Sequence, residues 1–138
     1  MGRLLVALLC CGPHANAENE DYTSVMSCKF GPNCTIENFE CSDYETWLCV
    51  RRLETTQSFS VVNCGVNYNK EVTFRNMASM VIFDWYHQVD DRYHASAQRL
   101  VVSETGEATL QHAFTAEIVP GDPKFFSGSK RGICKEIQ

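Results

Sequence analysis

Three histidines and a pair of carboxylates are the residues that could do acid–base or metal chemistry in the body of this chain. His87 and His94 are seven residues apart, two turns of a helix, and with His112 they permit a three-histidine zinc site. Asp90 and Asp91 are adjacent, and neighbours on an extended chain point to opposite faces, so they make a poor acid–base pair. No Gly-x-Ser-x-Gly motif or phosphate-binding glycine loop is present. Surface histidines are the simpler interpretation, and we predict no enzymatic activity.

Cysteines are the other reactive residues, and the sequence contains eight of them. Two belong to an N-terminal apolar run, and six remain for the body of the protein: Cys28, Cys34, Cys41, Cys49, Cys64 and Cys134. No Cys-x-x-Cys pair is present, which disfavours structural zinc and favours disulfides. Oxidised sulfur cannot act as a nucleophile, so cysteine catalysis is not expected either. We predict three disulfides, and the spacing leaves their pairing open.

The N-terminus has the organisation of a secretory signal peptide. The apolar run Leu4–Cys11 is too short to cross a bilayer, and Gly12-Pro13 follows it. Ala15-Asn16-Ala17 has the small-x-small pattern of a cleavage site, which predicts a signal peptide over residues 1–17. Export would supply the oxidising compartment that disulfides need. The protein is therefore expected to be secreted and extracellular, without membrane insertion.

The charge balance narrows the class of partner. The full chain carries a formal net charge of −5, with 12 basic and 17 acidic side chains. This balance disfavours nucleic acid and anionic lipid as partners, and leaves an extracellular protein or a glycan. Asn33-Cys34-Thr35 is an N-glycosylation sequon, so a glycan attached at Asn33 is predicted as well.

The pattern of apolar residues predicts an all-β domain. Short runs with strand character are separated by turn signals over residues 35–39, 44–50, 58–63, 71–76, 80–87, 99–103 and 113–119. An antiparallel sandwich or barrel is expected, and one helix over residues 93–102 is the local alternative. Residues 18–27 are read as a flexible acidic lead-in, residues 28–119 as the domain, and residues 120–138 as a tail tied back by Cys134.

Residues 41–119 resemble the back half of a CUB domain, an extracellular β-sandwich module. The resemblance rests on Cys41, Asp43 and Tyr44, followed by Cys64 and Gly65. The apolar run 80–83 and the segment 113–118 match the later strands of that family. Three features depart from the family pattern. Only Ser42 separates Cys41 from Asp43, and Glu45 replaces the usual aliphatic residue after the aromatic one. The front half of the domain is also much shorter than in that family.

The resemblance implies a small disulfide-bonded β-sandwich of jelly-roll type with a Cys41–Cys64 bridge. Many CUB domains also bind calcium, which makes Asp43 a candidate ligand, with Asp84, Asp90 or Asp91 as a second carboxylate. A solvated acidic turn is the simpler interpretation of these residues, and no cofactor is required.

The segment 84–94 is the candidate binding segment, because it sets aromatic rings among acidic residues after an apolar strand. If it is an exposed loop, Trp85, Tyr86 and Tyr93 are the expected anchors; the alternative places Trp85 and Tyr86 in the core. The predicted function is a non-catalytic, secreted recognition module that binds protein or glycan through the loops of the sandwich. A secreted disulfide-rich effector, such as a protease inhibitor or a toxin-like protein, is the alternative.

Mass spectrometry of the secreted, non-reduced protein tests the export prediction. We expect a mature chain that begins at Glu18, three disulfides, and a glycosidase-sensitive mass at Asn33 that the variant Asn33→Gln lacks. A mature chain that still begins at Met1, or one with free thiols, would contradict the prediction.

Overall fold

A computed structural model of the protein describes residues 21–88 and 95–138. The predicted signal peptide lies outside this range, as do Asp90, Asp91, Tyr93 and His94. The described residues form ten β-strands and no helix: β1 Tyr22–Phe30, β2 Cys34–Thr35, β3 Glu40–Cys41, β4 Thr46–Leu53, β5 Phe59–Asn63, β6 Glu71–Met77, β7 Met80–Gln88, β8 Ala95–Ser103, β9 Glu107–Val119 and β10 Asp122–Glu136. Within these ranges, no helix has the length and hydropathy needed to cross a bilayer.

Eight of the strands close into one antiparallel barrel, in the order β1-β10-β9-β8-β7-β6-β5-β4, while β2 and β3 form a separate hairpin. The prediction of an all-β, disulfide-bonded fold is confirmed. The sheet closes on itself, however, where the CUB resemblance implied the two facing sheets of a sandwich. Closure occurs because β10 pairs with β9 along one edge and with β1 along the other.

The strands extend beyond the predicted boundaries of the domain. The segment 120–138, predicted as a tail, contains β10, a 15-residue strand of the barrel. The segment 18–27, predicted as a flexible lead-in, contains the first part of β1. The helix formers of residues 93–102 lie largely in β8, because β8 pairs with β7 on one side and with β9 on the other. Pairing with neighbours on both sides outweighs the local helix propensity.

Side chains from the inner faces of the strands form the core. The cluster includes Phe30, Leu48, Val50, Phe83, Trp85, Leu100 and Leu110, and all are buried. An eight-stranded barrel is just wide enough for side chains of this size to fill it. Close contact between β1 and β10 requires a glycine at position 132, because a Cβ there would lie 2.3 Å from the carbonyl oxygen of Lys29.

The disulfide between Cys28 and Cys134 joins the first strand of the barrel to the last. The two residues are directly opposite each other in the β1–β10 register and are 106 positions apart in sequence. Both are buried in the core. The bridge therefore fastens the seam at which the barrel closes.

The other two disulfides are local. Cys34 faces Cys41 across the β2–β3 hairpin and bonds to it, and Cys49 on β4 bonds to Cys64 just after β5. The prediction of three bridges is confirmed. The Cys41–Cys64 pairing implied by the CUB resemblance is wrong, because the hairpin register places Cys41 opposite Cys34.

The two classes of bridge should differ in their effect on stability. We expect Cys28→Ala/Cys134→Ala to lower the free energy of unfolding by about 4–5 kcal/mol, because the unfolded chain loses a long closed loop. The matched pair Cys34→Ala/Cys41→Ala should cost only about 2–3 kcal/mol, because its loop is short. Equilibrium unfolding in urea measures both values, and an equal or larger loss for the hairpin pair would contradict this ranking.

Candidate binding surface

An exposed apolar surface lies on the outside of the barrel, on strands β7 to β10. It lies where β7 extends beyond its pairing with β6, and β10 beyond its pairing with β1. We call it the aromatic face and define it by Tyr86, Ala95, Ala97, Ala113 and Phe125. Tyr86 is 80% exposed and Phe125 is 70% exposed. The alanines lie in a shallow depression of about 300 Å³ that these two rings help to line. Exposed apolar side chains that form a contiguous patch often mark an interaction surface, whereas single exposed apolar side chains are common on any protein.

The strand register brings these residues together from four separate segments. Tyr86 is opposite Ala97, and Ala97 is opposite Ala113. One step further along the sheet, Ala95 is opposite Thr115, which is opposite Phe125. Successive side chains of a strand alternate between faces, so residues two apart share the outer face. The small alanine side chains leave the depression open.

The three predicted anchor residues are placed differently. Trp85 is only 7% exposed and belongs to the core cluster, as the alternative interpretation of the sequence proposed. Tyr86, the next residue, is exposed, so the alternative that placed it in the core with Trp85 is wrong for Tyr86. Tyr93 lies outside the described residues. Phe125 was not among the sequence candidates, because it lies in the segment interpreted as a tail; the adjacent pair Phe125-Phe126 was the only signal for it.

A charged cluster borders the aromatic face. Asp84, two residues before Tyr86, accepts a hydrogen bond of 2.6 Å from Nε of Arg99 and one of 2.7 Å from Nη2 of Arg75. The hydrogen bond from Arg99 is the largest cause of a lowered pKa for Asp84, and the bond from Arg75 acts in the same direction against the effect of desolvation. Both carboxylate oxygens of Asp84 therefore accept hydrogen bonds from arginine side chains in this structure.

The remaining candidate ligands do not assemble into a metal site within the described ranges. Asp43 is exposed, with φ of 48°, in the segment between β3 and β4. His87 is exposed and His112 is half-buried. No group of three or more His, Cys, Asp or Glu side chains among residues 21–88 and 95–138 could hold a metal ion. Asn33, the predicted glycosylation site, lies exposed just before β2.

An unpaired strand edge runs beside the aromatic face. β10 pairs with β1 only over residues 132–136, and the amide of Gly31 adds a hydrogen bond of 3.2 Å to the carbonyl oxygen of Arg131. Within the described part of the chain, residues 122–130 have a strand partner on the β9 side alone. Pro123 and Lys124 are of the types that protect edges from aggregation, and Phe125 follows them.

Comparison of the chain with models of known families, with curated proteins and with solved structures finds no match.

The ion pairs of Asp84 predict a pH-dependent contribution to stability. The pKa of Asp84 is lower in the folded state than in the unfolded state. Its ion pairs therefore stabilise the fold fully at pH values above 3.8, the ordinary pKa of an aspartate, and this stabilisation is lost as the pH falls through the lowered folded-state pKa. Asp84→Asn should therefore cost about 1 kcal/mol at pH 7, and this cost should shrink as the pH falls below 3.8, through the lowered folded-state pKa of Asp84.

Urea unfolding over a pH series measures this difference. Glu71→Gln, which changes an exposed carboxyl on neighbouring β6, is the matched control and should have little effect at any pH. A cost for Asp84→Asn that stayed constant across the whole series would rule out the ion pairs as its cause.

Proposed function

We propose that this protein is a secreted, non-catalytic binding protein that recognises an extracellular protein partner through the aromatic face. The observation that carries this proposal is the exposure of Tyr86 and Phe125 beside a shared depression formed by alanines. Burial of a large apolar side chain in an interface is favourable by about 2 kcal/mol, so leaving two of them exposed is a cost that binding would remove.

The surroundings of the aromatic face suit a protein interface. Apolar side chains form the centre, and the ion-paired cluster of Asp84, Arg75 and Arg99 forms part of a polar rim. This arrangement of an apolar centre and a polar rim is typical of protein–protein interfaces. The ion pairs also hold the rim side chains in place before a partner arrives, which reduces the entropy lost on binding.

Two features favour a protein over a glycan as the partner. The depression is lined mainly by alanine and aromatic side chains, which offer few hydrogen bonds to sugar hydroxyls. The neighbouring edge of β10 offers backbone amides and carbonyls that a strand of a protein partner could pair with. A partner that used both features would gain hydrogen bonds at the edge and apolar contacts at the face.

The disulfides support the extracellular setting of this proposal. Three bridges within 138 residues are consistent with an oxidising compartment, where the rigid barrel would hold the aromatic face in a fixed shape.

The double variant Tyr86→Ser/Phe125→Ser tests the role of the aromatic face. We expect it to weaken capture of a protein partner from the extracellular fluid of the source tissue by roughly tenfold for each side chain removed. The matched control is Tyr68→Ser, which removes a tyrosine that is 60% exposed in the segment between β5 and β6. The measurement is quantitative cross-linking and pull-down with immobilised protein, with circular dichroism and melting temperature to show that each variant is folded.

Equal capture by the double variant and the wild type would contradict the proposal. Binding to a glycan array that the double variant abolishes would identify a glycan as the partner and would also contradict it.

A further inference from the structure

A second cavity lies on the outer wall of the barrel at the other end of strands β7 to β10, beneath the β2–β3 hairpin. We call it the hairpin cleft, and its volume is about 680 Å³. Apolar side chains form much of its lining, including Pro32, Ile36, Met80, Val101 and Ile133. Cavities of this size, with apolar walls and a few polar groups, are the common form of small-molecule sites. No residue of the aromatic face lines the cleft.

The hairpin that covers the cleft is held firmly in place. The Cys34–Cys41 disulfide closes it. Nζ of Lys29, on β1, donates a hydrogen bond of 3.2 Å to the carbonyl oxygen of Phe39 and lies 4.8 Å from the centre of the Phe39 ring. The same ammonium group lies 5.7 Å from the ring centre of Tyr44. The two contacts with Phe39 hold the hairpin against the barrel wall, so the cleft is a preformed feature.

One arginine on the wall of the cleft differs from the others. The structure describes five arginines, and four of them donate side-chain hydrogen bonds to a carboxylate or a carbonyl oxygen: Arg51, Arg52, Arg75 and Arg99. The guanidinium of Arg131 has no hydrogen-bond or ion-pair partner among the described residues, although Arg131 lines the cleft. It is therefore free to bind an anionic group of a ligand.

The chemistry of the lining defines the class of ligand. A guanidinium group pairs with a carboxylate, sulfonate or phosphate through two parallel hydrogen bonds. The apolar walls beside Arg131 suit a hydrocarbon body. Glu107, which is opposite Ile133 in the register, also lines the cleft and would repel a second negative charge. From these features we propose that the hairpin cleft binds a small amphipathic molecule with one anionic group.

Isothermal titration calorimetry with dodecanoate tests this proposal, and dodecyltrimethylammonium serves as a probe with the same chain and the opposite charge. We expect the wild type to bind one dodecanoate with a Kd on the order of 10 µM and to bind the cation at least about tenfold more weakly. Arg131→Gln should weaken dodecanoate binding by roughly tenfold to a hundredfold, because it removes a charge-assisted hydrogen bond. Ile36→Ser, which makes one apolar wall polar, should weaken the binding of both probes.

Two control variants separate the cleft from other surfaces. Lys124→Gln removes an exposed cation from the same strand as Arg131, outside the cleft, and should leave dodecanoate binding unchanged. Tyr86→Ser/Phe125→Ser should also leave it unchanged, because the aromatic face is separate. The proposal is overturned if the folded wild type shows no binding up to about 1 mM, if both probes bind equally, or if Arg131→Gln binds like the wild type.

Discussion

Pairing between the first and last strands is the interaction on which the rest of this structure depends. A sheet of antiparallel strands has two free edges unless its ends meet, and here β1 and β10 meet over residues 132–136 of the last strand. Gly132 permits the close approach of the two backbones, and the Cys28–Cys134 bridge fixes their register. Without this seam, the inner faces of the other strands would have no enclosed volume in which to bury Phe30, Phe83 and Leu100.

Closure of the barrel also determines where the aromatic face and the hairpin cleft lie. β9 and β10 have 13 and 15 residues, more than any other strand in the described ranges, and only part of β10 is used in the seam. The remainder carries Phe125 beside an unpaired edge and completes the aromatic face. The hairpin between β1 and β4 helps to line the hairpin cleft at the other end of strands β7 to β10. The two surfaces differ in chemistry, since the aromatic face is apolar while the hairpin cleft contains the guanidinium of Arg131, which has no partner within residues 21–88 and 95–138.

Much of the local structure could be predicted from the sequence. Alternation of apolar and polar residues located most of the strands, and six cysteines together with the predicted export signal predicted three bridges. The apolar run at residues 80–83 lies in strand β7, where Ile82 and Phe83 are buried and Met80 is exposed. These features depend on residues that are close together in the sequence, so a local sequence pattern is enough to predict them.

What could not be predicted depends on contacts between distant residues. The pairing of Cys28 with Cys134 requires the β1–β10 register, which no local pattern encodes. Apolar and polar residues do not alternate clearly over residues 122–136, so the sequence predicted a tail there and not strand β10. Phe125 lies in this segment and was therefore missed as a candidate binding residue. The sequence interpretation kept Trp85 and Tyr86 together, either both exposed or both in the core, whereas strand β7 places them on opposite faces because successive side chains of a strand alternate. The CUB resemblance implied the wrong partner for Cys41, because shared spacing does not fix which thiols meet.

The bridge between Cys28 and Cys134 also closes the chain between these two residues into one covalent loop, with consequences for what a protease can do to it. A single cut at any exposed turn between these two residues, such as the turn at residues 54–57, would leave both fragments joined through sulfur. The fragments could not diffuse apart, and their strands would remain at high local concentration. A nicked molecule would therefore keep its mass, apart from one added water, until a reductant opened the bridge.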